Sequence, residues 1–150
     1  MRLFTIGFTK KTAQHFFELL RANNIDLLLD IRLNNRAQLA GFTKCEDLEY
    51  FLKEILYCDY SHCAEFAPTK DILDHYRDKK ISWREYELKY NKLIECRNIS
   101  DSICDGFAER FAAYKNIILL CSEPTAEKCH RRLAAEAIYK AHSNIEITHL

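Results

Sequence analysis

Residues 116–132 read NIILLCSEPTAEKCHRR. An apolar run, Asn116 to Cys121, stops at a polar turn, Cys121-Ser122-Glu123-Pro124. Cys129-His130-Arg131-Arg132 then opens a segment with apolar positions at helical spacing, Leu133, Ala134, Ala137 and Ile138. Such spacing marks one face of a helix. The stretch therefore reads as a buried strand, a polar turn and a helix whose first residues carry thiol, imidazole and guanidinium groups. Pro124 fits the first turn of that helix, where a missing N–H costs nothing.

A second stretch has the same character. Ile25 to Ile31, IDLLLDI, is apolar on consecutive positions. A strand with one wet face alternates; a run of this kind is buried on both faces, as in a parallel sheet covered by helices. Leu3 to Ile6 is a shorter apolar strand closed by Gly7, and Tyr57 to Cys63 is a weaker one. Ile145 to His149 alternates, which suits a sheet edge.

Helical patterns lie between these runs. Thr12 is placed to cap a helix carrying Ala13, Phe16, Phe17 and Leu20, which Asn23-Asn24 ends. Thr43-x-x-Glu46 and Ser82-x-x-Glu85 match the capping-box pattern. The first precedes a stripe of Leu48, Phe51, Leu52, Ile55 and Leu56; the second precedes Trp83, Tyr86, Tyr90, Leu93 and Ile94, read as core. Asp71 to Arg77 forms a short helix. Ile103, Phe107, Phe111 and Tyr114 predict a further one weakened by Gly106, after a loop at Asn98 to Asp105. The alternation predicts a single α/β layered domain over residues 1–150, with a mainly parallel sheet flanked by helices in a Rossmann-like three-layer arrangement.

The totals agree with this reading. A chain of 150 residues has the size of one domain, and 48% hydrophobic residues can fill a core. Three glycines and two prolines leave little for a loop-rich sandwich. The formal net charge of zero disfavours a dedicated duplex-DNA binder. MRLFTIGF lacks the apolar core of a secretion signal, and no run reaches membrane-span length, so the expected location is cytoplasmic, with no membrane partner. The seven cysteines are then reduced thiols. Their odd number and the absence of Cys-x-x-Cys speak against a disulfide framework or a zinc finger.

In open α/β sheets, ligands bind beyond the carboxyl ends of the strands. The polar residues falling there are Gly7, Thr9, Asp30, Arg32, Arg36, His62, Glu65, Cys121, Glu123, Cys129, His130 and Arg131. Arg32, Arg131 and the helix-start amides suit an anion. Asp30, His62, Glu65, Glu123 and His130 are candidates for acid–base chemistry. Cys129, beside His130 at a helix start, is a candidate nucleophile, although packing is the simpler role for a small thiol. No arginine follows Cys121 or Cys129 at the six-residue offset of a phosphatase loop. Cys121, Cys129, His130 and Asp30 do not have the spacing of a common zinc motif.

These segments, in this order, resemble the domain-of-unknown-function 488 family over most of the chain. The resemblance rests on Thr5-Ile6-Gly7, Asp30-Ile31-Arg32, Tyr60-x-His62-x-x-Glu65, and Leu120-Cys121-x-Glu123 followed by Cys129-His130-Arg131. Thr9, Asn34-Asn35 and Phe66-Ala67 depart from the usual residues of that family. It implies a compact α/β domain with a polar site built from these motifs and carries no established reaction or cofactor. The leading expectation is an enzyme acting on a phosphorylated or nucleotide-like small molecule. The alternatives are a non-enzymatic nucleotide or nucleic-acid binding module, with Lys10, Lys11, Arg32, Arg36 and Lys44 as a basic rim, and a Cys/His metal or redox site.

Overall fold

A computed structural model describes residues 1–36 and 40–150 of the chain. Among the described residues there are five strands: β1 (Arg2–Gly7), β2 (Leu27–Asp30), β3 (Asp59–His62), β4 (Asn116–Cys121) and β5 (Glu146–His149). Six helices accompany them: α1 (Ala13–Ala22), α2 (Cys45–Leu56), α3 (Lys70–Arg77), α4 (Trp83–Asp101), α5 (Phe107–Arg110) and α6 (His130–Ala141). The strands form one sheet in the order β3-β2-β4-β1-β5, and every pairing is parallel. The alternating segment Ile145 to His149 is an edge strand, as its pattern predicts.

The period-two geometry of a strand divides the apolar runs between two cores. Leu27, Leu29, Ile117 and Leu119 face a cluster containing Tyr86, Tyr90 and Ile94 of α4 and Leu133, Ala134 and Ile138 of α6. Leu28, Ile118 and Leu120 face the other cluster, with Phe16, Phe17 and Leu20 of α1 and Leu48 and Leu52 of α2. All four residues of β2 and all six of β4 are buried. The consecutive apolar runs are thus the mark of strands covered on both sides.

Sheet order locates the cleft. From β1 to β2 to β3 the chain moves toward one edge, crossing through α1 and α2 on one face. From β3 to β4 to β5 it moves the other way, with α4 and α6 on the opposite face. Adjacent strands β2 and β4 therefore send their following helices to opposite faces. The carboxyl ends of such strands part, and a crevice opens there.

Four local expectations differ from the structure. Thr43 does not cap α2: it lies in a 3-10 turn, Gly41–Thr43, its hydroxyl donates to the Ala40 carbonyl, and Lys44 is the N-cap. Its hydroxyl is engaged one turn too early to reach the helix amides. Ser82 forms the full capping box with Glu85, and α4 continues through Asp101, so helix occupies the first half of the expected loop at 98–105. The helix expected over Ile103 to Tyr114 shrinks to Phe107–Arg110; Phe107 packs in the core from it, and Ile103 and Phe111 from turns on either side. Finally, Pro124 is outside any helix, because α6 begins only at His130.

Candidate functional site

The loop after β1 and the loop after β4 lie against each other at the carboxyl edge. Gly7 and Cys121 are register partners, and the Thr9 amide donates to the Ser122 carbonyl at 3.1 Å. A Cβ on Gly7 would lie 1.6 Å from the Glu123 carbonyl oxygen and 2.7 Å from Nη1 of Arg131. Glycine is needed here for close approach of backbone to backbone. Thr9 is half-buried on the same loop.

Arg131 is fully buried under this junction. Its Nη1 donates to the Glu123 carbonyl at 2.5 Å. Nε and Nη2 find no hydrogen-bond partner among the described residues. Among the described residues, no carboxylate pairs with the guanidinium, so its positive charge is not neutralised. Burial first, and then this charge, holds both Lys11 and His149 below their ordinary pKa values.

Asp30 and Arg32 form a closed pair after β2. Arg32 donates through Nε and Nη2 to the two carboxylate oxygens at 2.8 and 2.7 Å, and through Nη2 to the Thr43 carbonyl at 2.7 Å. Tyr60 donates its hydroxyl to Asp30 at 2.9 Å, and Asn35 donates to Tyr60. Burial, followed by the Asp30 charge, raises the Tyr60 phenol. Arg32 also lies over the Phe8 ring, 5.3 Å from its centroid. Both members of the ion pair are buried, so Arg32 is turned inward and away from the rim formed by exposed Lys10 and Arg36.

His62 and Glu65 point elsewhere. His62 is exposed on edge strand β3 and donates from Nε2 to the Arg32 carbonyl at 2.9 Å. Glu65 pairs with Arg110 at 2.5 Å. Neither lines the cleft described next.

A cavity of about 590 Å³ occupies the crevice between the β2 and β4 ends. Arg32, Cys121, Glu123, Cys129 and His130 line its inner wall. The outer wall comes from Lys70, Asp74 and Arg77 of α3, Trp83 and Tyr86 of α4, and Lys128. Asp74 bonds Lys70 at 2.8 Å and Arg77 at 3.0 Å. With Arg32 neutralised by Asp30, the charges of Lys70, Arg77 and Lys128 exceed those of Asp74 and Glu123 by one. Trp83 and Tyr86 are stacked, their ring centroids 5.0 Å apart. The α3 wall was missed in the sequence because a short charged helix reads as solvated. Its signal was Lys70, Asp74 and Arg77 at helical spacing, which shares one face.

At the cavity floor, three groups converge. One ligating atom each from Cys121, Cys129 and His130 lies within 4.8 Å of the others, and all three residues are buried. His130 donates from Nε2 to the Ile31 carbonyl at 3.0 Å, since a carbonyl can only accept. A neutral ring then carries its lone pair on Nδ1, which lies 3.4 Å from Cys121 Sγ. The bond to Ile31 also ties the start of α6 to the end of β2.

The two thiols differ. Burial pushes the Cys121 pKa up, but hydrogen bonds from the Cys129 thiol and from the Glu123 and Ser122 amides, with the charge of Arg131, carry it below its ordinary value. Cys129 is pushed well above its ordinary value, first by its hydrogen bond to Cys121 and then by burial. Of the two, Cys121, at the strand end, is the thiol whose surroundings favour the thiolate. The same three residues could hold a soft cation through two sulfurs and Nδ1, with His130 oriented as metal-bound histidines are.

Fold and site together define a layered α/β domain with a thiol–imidazole pair at the switch point of a parallel sheet. The chain matches the family described as Domain of unknown function DUF488 over residues 12–138, and it belongs to that family. The match includes Asp30, Arg32, His62, Glu65 and the whole Cys121 to Arg131 segment; Gly7 and Thr9 precede it. Comparisons with curated proteins and with solved structures give no match. Among the described residues, no helix is long and apolar enough to cross a membrane.

Proposed function

We propose that the protein is an enzyme acting on a phosphorylated or nucleotide-like small molecule, with Cys121 as nucleophile and His130 as its base. The observation that carries this is the chain from Ile31 through His130 to Cys121. The Ile31 carbonyl fixes the imidazole so that Nδ1 faces the thiol at 3.4 Å. A nucleophile, a base and a group that orients the base are the parts of thiol catalysis.

The cavity supports the ligand class. It has one cation in excess, which favours an anion, and the Trp83 and Tyr86 rings border it, which favours a flat ring system. The Ser122 and Glu123 amides and the Arg131 charge, which favour the thiolate, also favour negative charge developing next to it. The thiols must be reduced, as they are in the cytoplasm, where we place the protein.

The test is alkylation by iodoacetamide, followed residue by residue by peptide mass spectrometry across pH, with and without adenosine monophosphate. Cys121 is expected to react with a midpoint below that of exposed Cys96, and the nucleotide should slow it. His130→Ala should raise the midpoint. A Cys121 that titrates no lower than Cys96, with no protection by nucleotide, overturns the reading.

A further inference from the structure

We propose that Cys121 and Cys129 form a redox-active dithiol, in which Cys129 resolves an oxidised Cys121 into a reversible disulfide on exposure to a hydroperoxide. The proposal uses the same Cys121 thiolate as the catalytic reading, but none of the ligand-binding wall.

Four observations suit the two sulfurs to this chemistry. Both belong to the cluster whose reacting atoms lie within 4.8 Å of one another, so a disulfide needs rotation and a small shift of the chain. Cys129 is the N-cap of α6, with extended backbone angles of −139° and 139°, so its own backbone is not helical. The segment that joins it to Cys121 is turns and bends from Ser122 to Lys128, which can follow such a shift. Cys121 and Cys129 both line the cavity, so a small oxidant reaches the pair from solvent.

The surroundings favour this over a permanent metal site. A divalent cation held by two thiolates and an imidazole would feel the Arg131 charge that acts on Cys121, with no carboxylate in the cluster. Positive charge favours a thiolate without favouring a cation next to it.

The steps balance. The Cys121 thiolate attacks one peroxide oxygen, the O–O bond breaks, and the departing alkoxide or hydroxide takes a proton and leaves as alcohol or water. Cys121 is now a sulfenic acid. Cys129 gives its proton to Nδ1 of His130, and its sulfur attacks Cys121. The S–O bond breaks, and the hydroxide recovers that proton and leaves as water. Two thiols have lost two electrons and two protons; the peroxide has gained both. An external dithiol reverses the change.

The experiment uses the reduced full-length chain, freed of metal with chelator and given one equivalent of hydrogen peroxide. Trypsin cuts after Lys115, Lys128 and Arg131, so a disulfide joins two peptides, 116–128 and 129–131. That cross-linked pair is the expected main product, and dithiothreitol should remove it. In Cys129→Ser the cross-link should vanish and Cys121 should instead be trapped by dimedone as sulfenic acid. In Cys121→Ser, Cys129 should stay reduced. Three results would overturn the proposal: dimedone labelling of the unmodified chain at the level of Cys129→Ser, no oxidation of either thiol, or one equivalent of zinc retained by the protein before chelation. If only the resolving step fails, Cys129→Ser and the unmodified chain will oxidise alike while nucleotide still protects Cys121 from alkylation. If the catalytic reading fails alone, the cross-link will form without any such protection.

Discussion

Gly7 and Arg131 share one small volume. A methyl group on Gly7 would lie 2.7 Å from Nη1 of Arg131 and, more severely, 1.6 Å from the Glu123 carbonyl oxygen. The loops after β1 and β4 can meet only because that methyl is missing. Gly7→Ala should therefore separate the two loops and cost about 3 kcal/mol, the upper range for forcing extra volume into a packed site. Urea denaturation checks this; a loss under about 1 kcal/mol would mean that the loops part easily.

Arg131 is a buried cation with two nitrogen donors unused among the described residues. A buried charge without a partner is costly, so an apolar side chain of similar length removes that cost along with the charge. Arg131→Met, which roughly keeps the volume, should change stability by less than about 1.5 kcal/mol. It should also raise the alkylation midpoint of Cys121, whose thiolate loses a favourable charge. A strong drop in stability with an unchanged thiol midpoint would assign Arg131 to packing alone.

The Asp30–Arg32 pair should behave in the opposite way. Arg32 is 4% exposed, and its carboxylate partner is fully buried. Asp30→Ala leaves the guanidinium buried and unpaired, and should cost about 3 to 5 kcal/mol. Tyr60→Phe removes one hydrogen bond to the same carboxylate and should cost about 1 kcal/mol. The two unfolding midpoints, measured together, separate the ion pair from its support.

Alkali should weaken the fold. Burial pushes Cys58 up to about 12 and Cys63 and Cys104 to about 11. Their unfolded counterparts ionise near 8.5. Below that value both states are protonated and these thiols contribute their full stability. Between it and the folded values, only the unfolded chain gives up its protons, so stability falls as pH rises, by up to about 1.4 kcal/mol per pH unit for each thiol. Urea midpoints from pH 8 to 11 should decline, and Cys104→Ala should decline less steeply. A flat profile would show these thiols to be solvated in the folded chain.

Much of the architecture was legible in the chain itself. Ile25 to Ile31 and Asn116 to Cys121 are apolar on consecutive positions because helices cover both sheet faces, and hydrophobic patterning is a local property. Helix caps were legible only in part. Ser82 and Thr43 begin the same motif, yet only Ser82 completes it, because the Thr43 hydroxyl is already committed to Ala40 within a tight turn.

The site divides along the same line. From sequence alone came the strand-to-helix joint at Cys121 to Arg131 and the expectation that polar residues at strand ends share an edge. Only the tertiary structure decided their partners. It paired Arg32 with Asp30, hid Arg131 beneath Gly7, and left His62 and Glu65 bonded away from the cleft. It also turned His130 by a bond to Ile31, so that Nδ1 faces Cys121 and not solvent. Residue type states which hydrogen bonds a side chain can make. Which of them it makes depends on groups brought together from distant parts of the chain, and that is settled only when the sheet assembles.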